Sequence, residues 1–269
     1  MRPVLLQLGA LPIRSYGLFM AFAFLVGIWI ARRRAAARGY DPDIIIDLSV
    51  IIILVSVVGA RLAYVFVRWD TYQHDLLGIL RIWEGGLAQY GGLVAGALAG
   101  LWFFKRRGID MWAGADLMVP SLAMGVAIGR IGCFLNGCCF GEVCNRPWGV
   151  VFSGDSIAGM QFPGVHLHPT QIYEALLGLV VFFLVILIDR RPRFDGFLLW
   201  LFVLLLSVYR FLIDPIRHYG SESIACKSGP VSLTNNQLFG LVLVLVSIGY
   251  MIYLSRRKPA EAPAATPSD

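Results

Sequence analysis

Charge is what this chain has little of: 15% of its 269 residues are Asp, Glu, Lys or Arg, against about 25% in soluble domains. With 58% hydrophobic residues and a mean hydropathy of +0.71, that scarcity excludes a soluble enzyme and describes an integral membrane protein. Acidic residues are scarcest inside the apolar runs, where Asp47 and Asp116 lie toward one face and Glu174 and Asp214 toward the other. The five cysteines lack the Cys-x₂-Cys spacing of zinc sites, so no metal is expected. The first apolar run lacks a basic start and a cleavage site, which reads as a retained span rather than a secretory signal. No internal repeat supports inverted transporter halves.

What is present is a series of apolar runs near 15–31, 44–67, 87–104, 114–135, 171–188, 197–213 and 237–254. Each is long enough to cross a bilayer as a helix. The net charge of +6 is concentrated between them: Arg32, Arg33, Arg34 and Arg38; Lys105, Arg106 and Arg107; Arg190, Arg191 and Arg193; Arg256, Arg257 and Lys258. These clusters fall in alternate connections, which is a topology signal and excludes a nucleic-acid role. The expected fold is therefore an all-α integral membrane protein of seven transmembrane helices, N-terminus outside and C-terminus cytoplasmic. Its domain is 1–258, with an irregular periplasmic cap built from 68–86, 136–170 and 214–236, and a disordered cytoplasmic tail over 259–269.

Helical rise of about 1.5 Å per residue turns sequence position into depth. Arg61, Arg130 and Arg210, on spans two, four and six, then share one level roughly 20–25 Å from the inner face of a core about 30 Å thick. Three intramembrane arginines with few acidic partners point to an anionic ligand, and at that depth the abundant anion is a lipid phosphate. Tyr16 and Tyr90 approach the same level from the outer ends of their spans. Arg210, Asp214 and Arg217 are spaced to share a helical face, although Pro215 distorts a helix there. The stretch Gly129–Gly141 concentrates an arginine, an asparagine, three cysteines and four glycines at the end of a span, and is the expected centre of function. The glycines from Gly85 to Gly100 read mainly as close helix packing, and His168 to Glu174 as a helix start. For Cys133, Cys138, Cys139, Cys144 and Cys226, all in outer segments, disulfide pairing such as Cys144 with Cys226 is expected. A nucleophilic Cys138 or Cys139 is the alternative, since nearby positive charge lowers a thiol pKa.

Six ordered segments carry a resemblance: Arg14–Leu18, Gly59–Val65, Glu84–Leu93, Gly129–Gly141, His168–Glu174, and Tyr209–Phe211 with Asp214 and Arg217. Over nearly all its length the chain resembles the prolipoprotein diacylglyceryl transferase family. The resemblance implies an enzyme of the bacterial inner (plasma) membrane, multi-pass and with its active site toward the outer leaflet. It would move the diacylglyceryl group of phosphatidylglycerol to the lipobox cysteine of a prolipoprotein signal peptide, releasing glycerol phosphate and needing no cofactor. Arg130 and Arg210 then become the phosphate clamp with Arg61 in support. Tyr16 and Asn136 orient the headgroup or the incoming cysteine, Gly141 shapes the floor, and Arg217 joins the binding residues. The chain departs from the family pattern at Tyr90, where many members carry His, at Cys133 for Asn, and at Cys138 for Glu. The proton acceptor is then Asp214, Tyr90, or the substrate thiol ionising by itself beside the arginines. A carrier of an anionic lipid, a diverged member with another acceptor, or a redox protein using Cys138 and Cys139 are the competing readings.

Overall fold

The computed structural model describes residues 4–8, 11–190, 194–219, 224–228 and 231–256. In chain order these form β1 (Val4–Leu8), β2 (Leu11–Arg14), α1 (Ser15–Ala37), α2 (Ile44–Val67), α3 (Trp69–Tyr72), α4 (Gln89–Arg106), α5 (Met111–Asn136), β3 (Val150–Val151), α6 (Ile157–Gln161), β4 (His166–Leu167), α7 (Thr170–Asp189), α8 (Phe197–Ile213), β5 (Ile224–Ser228), β6 (Val231–Thr234) and α9 (Asn235–Arg256). Six helices, α1, α2, α5, α7, α8 with its following turn, and α9, are long and apolar enough to cross a membrane. The expected third span is α4, which is not among the six. Its 18 residues include four glycines and the polar ends Gln89, Tyr90, Lys105 and Arg106, which lower its hydropathy. The tail 259–269 and the side chain of Cys226 lie outside the described residues.

Among the described residues, the segments expected to form the cap contain two two-stranded antiparallel ribbons, β3–β4 within 136–170 and β5–β6 within 214–236, while a third ribbon, β1–β2, precedes the first helix. β2 runs directly into α1 and β6 directly into α9.

The chain divides into two units, Ile28–Leu117 and Met1–Gly27 with Met118–Asp269. In the first, α2 and α4 pack at the distance of bare backbones, because Gly92 faces the Ser56 carbonyl and Gly91 the Gly59 carbonyl. The small-residue reading of this stretch therefore describes its role. The basic clusters of this unit are partly neutralised: Arg32 pairs with Asp43 at 2.7 Å and Arg107 with Asp47 at 2.6 Å, while Arg34 donates to the Leu117 carbonyl at 3.0 Å.

In the second unit, Val119 and Ala123 of α5, Val181 and Val185 of α7, and Leu198 and Phe202 of α8 form the apolar core. Gly178 sets how α5 and α7 cross. A methyl group there would stand 2.8 Å from the Ala127 nitrogen and 3.1 Å from the Ala123 carbonyl, closer than such atoms tolerate. One turn beyond this crossing, Arg130 projects from α5 and Glu174 from α7, so the close approach of two backbones brings an arginine and a glutamate together. Above the helix ends, Phe140, Phe152, Ala158 and Leu167 make a smaller apolar cluster under the loops.

Candidate active site

Glu174, 6% exposed, is the centre of the second unit's polar chemistry. Arg130 forms an ion pair with its Oε2, while Arg210 and Arg217 both donate to Oε1, at 3.0 and 2.9 Å. Three guanidinium groups face one carboxylate at the ends of α5, α7 and α8, and a second carboxylate, Asp214, lies one hydroxyl away from Arg210. Arg217 is 9% exposed, whereas Arg130 and Arg210 are 25% and 27% exposed and keep donors directed away from Glu174. A buried carboxylate of this kind aligns the forks and limits their mutual repulsion, and the uncompensated charge is suited to an anion.

Arg210 is fixed from the other side as well. Its Nη2 donates to the Tyr219 hydroxyl at 2.7 Å, and that hydroxyl donates to Asp214 Oδ1 at 2.8 Å. Thr234 donates to the second Asp214 oxygen. Burial and the bond to Asp214 push the Tyr219 phenol up to about 12. Asp214, 2% exposed, thus has both oxygens engaged in holding Tyr219 and Thr234. The helical face expected for Arg210, Asp214 and Arg217 does not form: α8 stops at Ile213, Asp214–Ile216 is a 3₁₀ turn, and Arg217 is extended. Pro215 has no N–H to continue the helix. The break is what separates the roles, since Arg217 still reaches Glu174 while Asp214 turns to Tyr219.

Gly141 is buried in the chain segment beside Arg217, paired with it as an antiparallel bridge. Its N–H donates to the His168 carbonyl at 2.9 Å, so its contribution is to seat Arg217. Asn136 ends α5, next to the turn in which the Cys138 thiol donates to the Cys133 carbonyl at 3.7 Å. Tyr16, in the first turn of α1, packs over Gly132 and shares its surroundings with Arg130 and the cysteines. Thr170 and Gln171 do more than open a helix. Thr170 Oγ1 donates to the Cys139 carbonyl at 2.8 Å and Gln171 Nε2 to the Cys138 carbonyl at 2.7 Å.

Cys133, Cys138, Cys139 and Cys144 are free thiols. The expected Cys144–Cys226 disulfide is therefore corrected: Cys144 is buried as a free thiol beneath the loops, on the segment whose backbone pairs with His166 at 2.8 Å. The sulfurs of Cys133, Cys138 and Cys139 all lie within 4.8 Å of one another. The Cys133 and Cys138 thiols bonding to Cys139, together with Arg217 and Arg130 nearby, hold the Cys139 thiol well below its ordinary value.

Arg61 and Tyr90 belong to the first unit. Arg61 is buried and directs its five N–H groups to carbonyls: Nε to Ile79 at 2.9 Å, Nη1 to Gly85 and Gly86 at 2.7 and 2.9 Å, and Nη2 to Gly78 and Arg81 at 2.7 and 3.3 Å. A guanidinium has five N–H donors, so none is left over for a phosphate. Gly86 makes this possible: its φ of 75° is left-handed, and a methyl there would stand 2.7 Å from Arg61 Nη1. Tyr90 is 68% exposed in the first turn of α4.

Sequence reasoning missed Glu174 as the shared partner, treating it as part of a helix start. It also missed Tyr219, and Tyr209, whose hydroxyl is buried without a hydrogen-bond partner among the described residues, in the field of Glu174 and the three arginines. The available signal for Glu174 was its position: it is the acidic residue in an apolar run at the level of Arg130 and Arg210.

Fold and geometry together describe a helical integral membrane protein in which three arginines converge on one buried glutamate. A family model described as prolipoprotein diacylglyceryl transferase matches residues 3–253, and the chain belongs to that family. It is 33% identical over 264 residues to a phosphatidylglycerol–prolipoprotein diacylglyceryl transferase of Geobacter sulfurreducens, covering 95% of this chain and 96% of that protein. Proteins of the same name from Thermosynechococcus vestitus and Listeria welshimeri are 36% and 34% identical, covering 79% and 93% of this chain and 80% and 89% of their own lengths.

Proposed function

We propose that the protein transfers the diacylglyceryl group of phosphatidylglycerol to the thiol of a prolipoprotein lipobox cysteine, releasing glycerol phosphate. The observation that carries this reading is the convergence of Arg130, Arg210 and Arg217 on the single carboxylate of Glu174. In the reaction, sulfur attacks the glyceryl carbon, the carbon–oxygen bond to phosphate breaks, and the thiol proton is released. The phosphodiester carries one negative charge and the departing phosphate monoester develops a second. Guanidinium groups already aligned on that phosphate stabilise the transition state more than the ground state, which is what accelerates a reaction.

Arg130 and Arg210, the more exposed pair, contact the phosphate in this account, with Arg217 behind them. Tyr16 and Asn136 orient the headgroup or incoming cysteine, and the Tyr209 hydroxyl supplies a further donor. Asp214 holds Tyr219, and through it Arg210, so the proton acceptor is assigned to the thiol's own ionisation in the arginine field. Arg61 shapes the 76–86 loop. Seven spans including α4, an outside N-terminus and a site at the outer leaflet of the bacterial inner membrane complete the proposal. The family membership and the names of the relatives support the substrates. Incubating the protein with phosphatidylglycerol labelled in its acyl chains and a lipobox peptide tests it: the label moves to the peptide cysteine, and Arg130→Ala or Arg210→Ala stops the transfer while the protein still inserts.

A further inference from the structure

The transfer proposed above gives no task to Cys133, Cys138 and Cys139, yet their arrangement is held in place by the surrounding structure. The Cys138 N–H donates to the Cys133 carbonyl at 3.1 Å, which doubles the chain back onto the end of α5. Gly137 and Cys139 both have left-handed backbones, with φ of 68° and 62°, and Cys139 is the non-glycine residue in that region among the described residues. A cysteine adopts this conformation when its surroundings impose it. Here Thr170 and Gln171 pin the carbonyls of Cys139 and Cys138 at 2.8 and 2.7 Å. The result is three free sulfurs within 4.8 Å of one another.

We propose that Cys133, Cys138 and Cys139 form a trigonal three-sulfur site for a soft monovalent cation of the copper(I) class. At a metal–sulfur length of about 2.3 Å, three sulfurs around one ion in a plane stand about 4.0 Å apart, a spacing compatible with three sulfurs that all lie within 4.8 Å of one another. Sulfur ligands select soft ions. Among the described residues this group offers three sulfurs, which complete a trigonal site, whereas a zinc ion held by the same three would need water or another donor in its fourth position. Binding converts three thiols and one cation into a complex and three protons, which leave to solvent, with no oxidant or reductant required.

The test uses the full-length protein in detergent, without oxygen, titrated with copper(I) in competition with a coloured copper(I) chelator. One copper(I) per chain is withheld from the chelator, and Cys133, Cys138 and Cys139 become protected from iodoacetamide by mass spectrometry while Cys144 labelling is unchanged. Replacing Cys138 or Cys139 with Ser weakens binding by at least about 100-fold, the upper end of what disturbing only a ligand's neighbour costs. Cys144→Ser binds as the unmodified protein does. The proposal is overturned if no copper(I) is withheld, if the Ser variants bind equally well, if the purified protein carries a disulfide among the three cysteines, or if zinc(II) holds the site against copper(I). The protection measurement needs no variant, so a folding defect in the Ser proteins leaves the test intact.

Discussion

Replacing Glu174 with Gln probes the device on which the site depends. The change keeps size and one acceptor oxygen but removes the charge that Arg130, Arg210 and Arg217 share. With Arg210 and Arg217 at 3.0 and 2.9 Å and an effective dielectric near 20, each attraction is about 5 kcal/mol before desolvation is subtracted. Breaking a buried ion pair by removing one partner costs about 3–5 kcal/mol, because the remaining charges stay buried and uncompensated. We expect Glu174→Gln to lower the thermal midpoint of the detergent-solubilised protein by on the order of 10 °C. Turnover falls about 100-fold or more as the guanidiniums lose alignment. Added glycerol phosphate, which binds the folded state and replaces the missing charge, restores more stability to this variant than to the unmodified protein. Glu174→Asp recovers stability better than turnover, since it restores charge but retracts it by one methylene. A Glu174→Gln protein that melts and turns over like the original would show that the three arginines do not depend on this carboxylate.

Gly178→Ala inserts a methyl group against the α5 backbone and should cost about 1–3 kcal/mol while drawing Arg130 away from Glu174, whereas Gly249→Ala, with open space around it, is neutral or stabilising in the same melting assay. Arg61→Lys replaces five donors in a fixed fork with three on a point charge. Opening of 76–86 then becomes easier by about 2 kcal/mol, near 30-fold in the rate of limited proteolysis. Because the Tyr219 phenol titrates at about 12 in the folded protein and near 10 when unfolded, the unfolded chain loses its proton first. The stability Tyr219 confers is thus fully present below pH 10 and lost between pH 10 and 12; Tyr219→Phe removes that part of the alkaline decline in a urea titration.

Helix positions were legible because apolar runs of fixed length have one solution in a membrane, and counting residues along a helix of constant rise set Arg130 and Arg210 at a common level. Their convergence on Glu174 was not, since which carboxylate serves three arginines is decided by the α5–α7 crossing at Gly178, a contact between residues far apart in sequence. Arg61 shared the same sequence signature as the other two arginines, yet the 76–86 turns surround it with carbonyls. Counting depth along a helix does not reveal what a loop does above it. At Pro215 the local rule was correct that the helix fails, but the consequence, Arg217 toward Glu174 and Asp214 toward Tyr219, depends on the extended chain that follows. The thiol cluster was hidden because Cys-x₄-Cys-Cys is no recognised ligand spacing, and a left-handed Cys139 brings the sulfurs together in spite of it.

The central claim is that the arginine cluster drives carbon–oxygen cleavage of a bound phospholipid by a peptide thiol. It is tested most directly by mass spectrometry of a lipobox peptide after incubation with the purified protein and phosphatidylglycerol labelled in its acyl chains. The account predicts a labelled diacylglyceryl thioether on the cysteine and one glycerol phosphate released per peptide modified, both abolished by Arg210→Ala. An unlabelled peptide and no glycerol phosphate, under conditions where a related transferase is active, would contradict it.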